Sequence, residues 1–208
     1  MTDGAAMRAD DIDYIRSLAE EGATAPNIGG RFYVWWSALI IVALLLHWAT
    51  LIGWTPWSPA QVGFVWLGYL TIGLAGTFAL SSGLAAKPGF HANNNRASAA
   101  FWSLAGLGMG GVIAAILVAV MLRDAPVLLF DLLPALGLLL YAAGLGVEAK
   151  LERAPWKLRT AYAGVIASTA TFALVGAPEA YLVAAAGYCV VGLIPGVSMM
   201  RGEPNKVV

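Results

Sequence analysis

Two ionisable side chains lie inside otherwise apolar stretches of the chain, and they are its strongest candidates for chemistry. His47 lies in an apolar stretch at residues 32–54, and Asp131 lies in another at residues 126–147. An ionisable group at membrane depth is costly to bury and marks a candidate functional site. An imidazole and a carboxylate offset that cost when they share a hydrogen bond. We therefore predict that His47 contacts Asp131, directly or through one water.

Two hydroxyl residues extend this predicted site. At ~1.5 Å of helix per residue, His47 and Asp131 both lie about 8–10 Å inside the same end of their predicted helices. Thr171 and Tyr181 lie near that end in two later apolar stretches. We predict an intramembrane binding cluster of His47, Asp131, Thr171 and Tyr181. In the alternative, Asp131 reaches the lipid headgroups, His47 bonds to a backbone carbonyl, and neither side chain binds a ligand.

Six apolar stretches must position these residues, and each is long enough to cross a bilayer as a helix. They are residues 32–54, 61–84, 99–122, 126–147, 157–176 and 179–200. A helix needs about 20 residues to span a hydrocarbon core of ~30 Å. With 60% hydrophobic and only 12% charged residues, the chain is predicted to be an all-α integral membrane protein. Short turns between the stretches predict six transmembrane helices arranged as three hairpins.

The basic residues predict the orientation of these helices. Eleven of the 12 Lys and Arg residues fall on one side of the predicted bundle, and only Arg123 falls on the other. The positive-inside rule then places both termini in the cytoplasm. The predicted divisions are a cytoplasmic segment at residues 1–30, a bundle at residues 31–200 and a cytoplasmic tail at residues 201–208. We expect the protein to lie in a bacterial inner membrane.

A short amphipathic helix is predicted ahead of the bundle, at residues 8–21. Ile12, Ile15 and Leu18 recur along one of its sides at helical spacing. A helix this short is marginal alone, so its apolar side is expected to dock on another surface. That surface is this protein's own loops, the membrane or a cytosolic partner protein. The excess of acidic residues in this segment opposes binding to anionic lipid.

The predicted loop at residues 87–98 is the most polar segment between the apolar stretches. His91, Asn94 and Arg96 are its candidate partner-binding residues, since they could receive the N-terminal helix. Alternatively, the asparagines of this loop cap the following helix. The loop at residues 148–159 carries both signs of charge and is predicted to be a solvated helix end that anchors the topology.

Small residues and one proline predict how the helices pack. Gly106 to Gly111 is a glycine-rich run in the third stretch, and Gly192 and Gly196 lie four apart in the sixth. Such spacing lets helix backbones approach closely, which predicts a tight bundle and permits a homo-oligomer. Pro195 is expected to kink the sixth helix.

Familiar enzyme and cofactor motifs are absent from the sequence. It contains no Gly-x-Ser-x-Gly elbow, no His-Glu-x-x-His pair and no phosphate-binding Walker loop. Two histidines and one cysteine give no expectation of a metal or cofactor. A formal net charge of zero provides no field to attract nucleic acid.

The sequence therefore predicts a non-enzymatic membrane protein. In this interpretation the bundle anchors or senses, and the N-terminal helix contacts a cytosolic partner. A short cytosolic helix ahead of a six-helix bundle resembles, in layout alone, some bacterial membrane-bound anti-sigma factors. The resemblance implies a regulatory role and carries no residue across. The alternative is a small transporter or channel that uses the cluster around His47 and Asp131.

Overall fold

The computed structural model describes residues 27–87 and 89–203, and all the secondary structure within them is helical. The six main helices are α1 Gly30–Leu51, α2 Val62–Ser81, α3 Asn93–Arg123, α4 Leu132–Leu151, α5 Pro155–Ala173 and α6 Glu179–Gly202. Short 3-10 turns lie at Pro59–Gln61, Leu84–Ala86 and Val127–Asp131. Each main helix overlaps one predicted apolar stretch, so the prediction of an all-helical chain is confirmed. The amphipathic helix predicted at residues 8–21 lies outside the described residues.

Five of the six helices are long and apolar enough to cross a membrane, and α5 is not among them. Its 19 residues include Lys157, Arg159, one serine and three threonines, which lower its hydropathy. The prediction of six equivalent spans therefore holds for five helices on the criteria of length and composition. The sixth helix forms, but hydropathy alone does not identify it as a span.

The helices pack as consecutive pairs around α6, which contacts α1, α4 and α5. Helix α1 packs along α2, α3 along α4, and α5 along α6, while the most extensive contact joins α4 to α5. Helix α1 also packs along the whole of α6. The fully buried core side chains include Leu44, Leu138, Leu145, Tyr188 and Val191. Helices α2 and α3 lie at the periphery, where few of their side chains are covered by protein.

The close approach of α1 to α6 depends on glycine. A Cβ atom added to Gly196 would lie 2.8 Å from the backbone nitrogen of Val34 and 2.9 Å from the carbonyl oxygen of Gly30. A Cβ added to Gly192 would lie 2.5 Å from the Cβ of Ser37. The two backbones are therefore in direct contact, as predicted from the spacing of these glycines.

Pro195 is accommodated by a widened helical turn. The segment Cys189–Leu193 forms a π-helical turn within α6, and helix resumes at Ile194. Proline has no N–H to donate and its ring clashes with the preceding turn of an α-helix. A π-turn immediately ahead of Pro195 relieves both problems. The local disturbance expected at this proline thus takes the form of a π-turn.

The glycines of α2 and α3 have different neighbours from those of α6. On α2, Gly73 and Gly76 lie under the indole rings of Trp36 and Trp35, so the small residues accommodate tryptophans. On α3, a Cβ atom added to Gly106, Gly108, Gly110 or Gly111 would meet nothing within 4 Å. The prediction that the glycine run of α3 packs tightly is therefore wrong within the chain. The spacing permits close approach, but no described helix approaches this face.

We predict that Gly196→Ala destabilises the protein and that Gly108→Ala does not. The new methyl group at residue 196 meets backbone atoms, so α1 and α6 must separate, at a cost of about 1–3 kcal/mol. At residue 108 the methyl group meets open space, and alanine's higher helix propensity is worth up to about 1 kcal/mol. Unfolding free energies measured in detergent micelles check the difference. Equal stabilities would contradict the close crossing of α1 and α6.

Candidate functional site

Three of the four residues predicted to form an intramembrane cluster meet at one end of the bundle. The hydroxyl of Tyr181 donates a hydrogen bond to Oδ1 of Asp131 at 2.6 Å. The Tyr181 ring also lies against the His47 ring, with 4.0 Å between their centroids. On the far side of His47, Nε1 of Trp66 donates to its Nδ1 at 3.2 Å. We call His47, Trp66, Asp131 and Tyr181 the Asp131 cluster.

Tyr181 connects the two residues that were expected to pair. Among the described residues, His47 and Asp131 share neither a hydrogen bond nor an ion pair, whereas Tyr181 contacts both. Because Nδ1 of His47 accepts a hydrogen bond, the neutral ring carries its proton on Nε2. The Asp131 cluster therefore offers a carboxylate and an imidazole N–H on either side of a buried phenol. Their role in binding a ligand remains a prediction.

Thr171 does not share the hydrogen bonds of the Asp131 cluster. Its side chain is buried, and its hydroxyl donates to the carbonyl oxygen of Ala167 in its own helix at 2.8 Å. Such a bond back to the preceding turn is common for a threonine within a helix. Matching depth along the sequence could not show which way this hydroxyl points.

The predicted partner-binding residues of the loop before α3 are not equally accessible. The side chains of His91 and Arg96 are exposed, and Asn94 is buried. Helix α3 begins after Ala92, which has no polar side chain to cap it. Within the first turn, Oδ1 of Asn94 accepts a hydrogen bond from the backbone nitrogen of Asn95 at 2.9 Å. An asparagine therefore satisfies a backbone N–H of the first turn, although none occupies the N-cap position. Ile12, Ile15 and Leu18 lie outside the described residues.

Asn95 ties this loop to the segment that enters α1. Its Oδ1 accepts a hydrogen bond from the backbone nitrogen of Ile28 at 3.2 Å. Its Nδ2 donates to the carbonyl oxygen of Gly89 at 2.9 Å. The side chain thus satisfies backbone groups from two segments that lie far apart in sequence.

A larger polar assembly lies at the opposite end of the bundle, centred on the buried carboxylate of Glu148. Its Oε1 accepts hydrogen bonds from the hydroxyl of Tyr33 at 3.0 Å and from that of Ser98 at 2.8 Å. Its Oε2 pairs with Nζ of Lys157 at 2.9 Å. Both Glu148 and Lys157 are only 1% exposed. These four residues come from α1, α3, α4 and α5, so one carboxylate joins four helices.

The assembly continues to the segment ahead of α1. Nζ of Lys157 also pairs with Oε1 of Glu152 at 2.8 Å. The same oxygen accepts a hydrogen bond from Nδ2 of Asn27 at 3.0 Å. We call Asn27, Tyr33, Ser98, Glu148, Glu152 and Lys157 the Glu148 network.

The prediction of a solvated helix end at residues 148–159 holds for Lys150, Arg153 and Arg159, which are exposed, and is wrong for Glu148 and Lys157. Helix α4 continues to Leu151, and Lys157 lies in the first turn of α5. The charges of Glu148 and Lys157 are buried because they neutralise each other and side chains on other helices hydrogen-bond them. One local signal was available, since Glu148 shares the apolar face of α4 with Leu145 and Tyr141 at helical spacing.

A second set of ion pairs joins both ends of the described chain. Oε2 of Glu203, just after α6, pairs with Nη2 of Arg31 at 2.8 Å and with Nζ of Lys87. Arg31 lies in the first turn of α1, and Lys87 lies between α2 and α3. The start of α1 and the end of α6 therefore meet at the end of the bundle that holds the Glu148 network. The two connecting segments with an excess of basic residues, 87–98 and 148–159, lie at the same end.

No protein-family model, curated protein or solved structure matches this chain. Within residues 27–87 and 89–203, no group of three or more His, Cys, Asp or Glu side chains is placed to hold a metal ion.

We predict that Lys157→Met destabilises the protein strongly and that adding Glu148→Gln restores part of the loss. Removing one partner of a buried ion pair typically costs about 3–5 kcal/mol, because the other charge stays buried and unpaired. The exposed Lys150→Met, on the same helix as Glu148, should change stability by no more than about 0.5 kcal/mol. Unfolding free energies in mixed micelles test this. A double mutant as unstable as the sum of the single changes would show that the pair is not coupled.

We further predict energetic coupling between Tyr181 and Asp131. Tyr181→Phe and Asp131→Asn should each cost about 1–3 kcal/mol, the penalty of an unsatisfied buried polar group. The double mutant should cost less than the sum, since both changes remove the same hydrogen bond. The matched cycle of His47→Gln with Asp131→Asn should show weaker coupling. Additive losses for Tyr181 and Asp131 would contradict the observed bond.

Proposed function

We propose that this chain is a multi-pass protein of a bacterial inner membrane, with both termini in the cytoplasm. In this proposal the six-helix bundle is a non-enzymatic anchor or sensor, and residues 8–21 bind a cytosolic protein. The Glu148 network then lies at the cytoplasmic end of the bundle, and the Asp131 cluster lies at the outer end. All six helices cross the membrane, including α5.

The uncovered surface of the bundle supports placement in a membrane. Large apolar side chains on α2 and α3 stand clear of the protein, with Phe64 73%, Met121 75% and Leu122 78% exposed. Contiguous apolar surface of this kind is not tolerated by a soluble monomer. Lipid covers it in a bilayer. The charge of Lys157, which makes α5 less apolar, is neutralised within the protein by Glu148 and Glu152.

The observation that carries the anchoring role is the attachment of the segment that leads into α1. Asn27 bonds to Glu152, the backbone of Ile28 bonds to Asn95, and Arg31 pairs with Glu203. These bonds connect the segment to α4, α3 and the exit of α6. The chain that leads to residues 8–21 would therefore leave the bundle from one fixed point, Asn27. A rearrangement of the helices at this end would therefore move the segment that leads into α1.

The interior of the bundle supports an anchor more than a transport path. Between the two polar assemblies, core positions such as Leu44, Leu138 and Val191 have no exposed surface. Ser168 is also buried, and its hydroxyl donates a hydrogen bond to the carbonyl oxygen of Ala135 at 2.8 Å. A substrate path needs a continuous polar lining, which these packed side chains interrupt.

A small transporter or channel is the second candidate function, and the Asp131 cluster favours it. A carboxylate and an imidazole at membrane depth, beside a buried phenol, are the kind of groups that receive a cation or a proton. The cluster would then serve as the entry site from the outer face. Opening of the apolar layer beneath it would be required for passage.

The binding role of residues 8–21 is tested with Ile15→Asp in the full-length protein. An aspartate at residue 15 places a charge on the predicted apolar side, which should weaken partner binding by about tenfold or more. Ser17→Asp adds the same charge on the opposite side of the predicted helix and serves as the matched control. The readout is the amount of cytosolic protein recovered with the tagged protein after crosslinking in cells, at equal membrane yield.

Recovery that falls with Ile15→Asp and persists with Ser17→Asp supports the proposal. Equal recovery with both variants would contradict it and would leave the transporter as the stronger hypothesis. Loss of membrane yield with Ile15→Asp would also contradict it, because residues 8–21 are not expected to take part in insertion.

A further inference from the structure

An open groove runs between α1 and α2 on the outside of the bundle, with a volume of about 460 Å³. Leu39, Val42 and Leu46 line it from α1, and Gly68 and Ile72 line it from α2. Trp57 and Gln61 lie at its mouth, beside the turn that joins the two helices. We call it the Gly68 groove.

Glycine at residue 68 leaves the groove open. A Cβ atom added to Gly68 would meet nothing within 4 Å, although the residue lines the groove. One to two turns further along α2, Trp36 and Trp35 of α1 pack directly over Gly73 and Gly76 and close the gap. The two helices are therefore in contact toward the Glu148 network and separated by a groove toward the turn between them.

We propose that the Gly68 groove binds one acyl chain of a membrane phospholipid. From Gln61 to Ile72 the groove follows eleven residues of helix, or about 16 Å at ~1.5 Å per residue. One leaflet is half of a hydrocarbon core of ~30 Å, so the groove has the depth of one acyl layer. None of the charged residues that the structure describes lines it.

The polarity of the groove gives the bound lipid a direction. Trp57 and Gln61 place an indole and an amide at the mouth, and such groups favour the headgroup level of a bilayer. Below them the lining is apolar, apart from the tyrosine at residue 69. The phospholipid headgroup would therefore lie at the mouth, and the chain would extend toward the middle of the membrane.

The size of the groove excludes a protein segment as its occupant. A stable protein interface buries about 1,200–2,000 Å² in total, far more than this groove offers. Its volume falls within the range of about 300–1,000 Å³ typical of small-ligand sites. A single flexible chain satisfies both limits.

The bound chain would contact residues next to the Asp131 cluster. Tyr69 lines the groove, and its ring lies 5.8 Å from that of Trp66, between centroids. Trp66 in turn donates to His47. The inference requires that the bundle lies in a membrane, and it does not depend on a cytosolic partner. The two proposals therefore fail separately.

The test compares Gly68→Leu with Gly63→Leu in the full-length protein. A leucine at residue 68 fills the groove. Gly63 lies on the opposite face of α2, where an added Cβ also meets nothing within 4 Å. Each protein is purified in detergent with palmitoyl-oleoyl phosphatidylglycerol or palmitoyl-oleoyl phosphatidylethanolamine, and retained lipid is counted by native mass spectrometry. Melting temperatures in lipid-free detergent verify folding, and Val42→Trp narrows the groove from α1 if Gly68→Leu does not fold.

We expect the wild type and Gly63→Leu to retain one phospholipid per chain, and Gly68→Leu to lower that occupancy by about tenfold. Gly68→Ala should fall between them. Equal retention by all variants would overturn the proposal. It would also be overturned if the wild type formed a lipid-free dimer that Gly68→Leu dissociates, since a second copy of the chain would then cover the groove.

Discussion

The ion pair between Glu148 and Lys157 is the interaction on which the arrangement of the helices depends. Moving two such charges out of water costs several kcal/mol per ion, and their attraction offsets this only when the remaining lone pairs and protons are also satisfied. Here Tyr33 and Ser98 occupy one carboxylate oxygen, and Lys157 occupies the other. The pair is therefore tolerable only when four helices are in register, which makes it a constraint on the whole end of the bundle.

The opposite end and the periphery are under weaker constraints. The Asp131 cluster relies on one hydrogen bond and on ring contacts, and its two ionisable members are only partly covered. Helices α2 and α3 each contact the rest of the bundle along one side only. The protein thus combines a rigid charged end with apolar flanks that remain available to other molecules. An anchor with a lipid-facing surface would have this distribution of rigidity.

The sequence alone predicted the elements better than their partners. The lengths of the apolar stretches predicted six helices, because each stretch has the roughly 20 residues that a helix needs to span a bilayer. A common depth brought His47, Asp131 and Tyr181 to one level, where the structure places them together. Depth could not reveal that Tyr181 lies against both of the others.

Two predictions failed for the same physical reason. Glu148 and Lys157 are charged residues beside a turn, so local composition predicts solvation. Their burial depends on hydroxyl groups contributed by α1 and α3, far away in the sequence. The glycine run of α3 would allow another helix to approach that face closely, and no described helix lies against it. Local sequence patterns show which contacts a segment is able to make. Packing against residues far away in the sequence decides which of those contacts form.

The low hydropathy of α5 has a consequence for how the protein is made. A lone helix of low hydropathy inserts weakly through the translocon, and Lys157 lacks its carboxylate partner until α4 lies beside it. Only a short connection separates α5 from α4, which carries the neutralising carboxylate. In the proposed membrane arrangement, α4 would therefore wait in or beside the translocon until α5 emerged from the ribosome. The two would leave for the lipid together, as a single co-inserting hairpin.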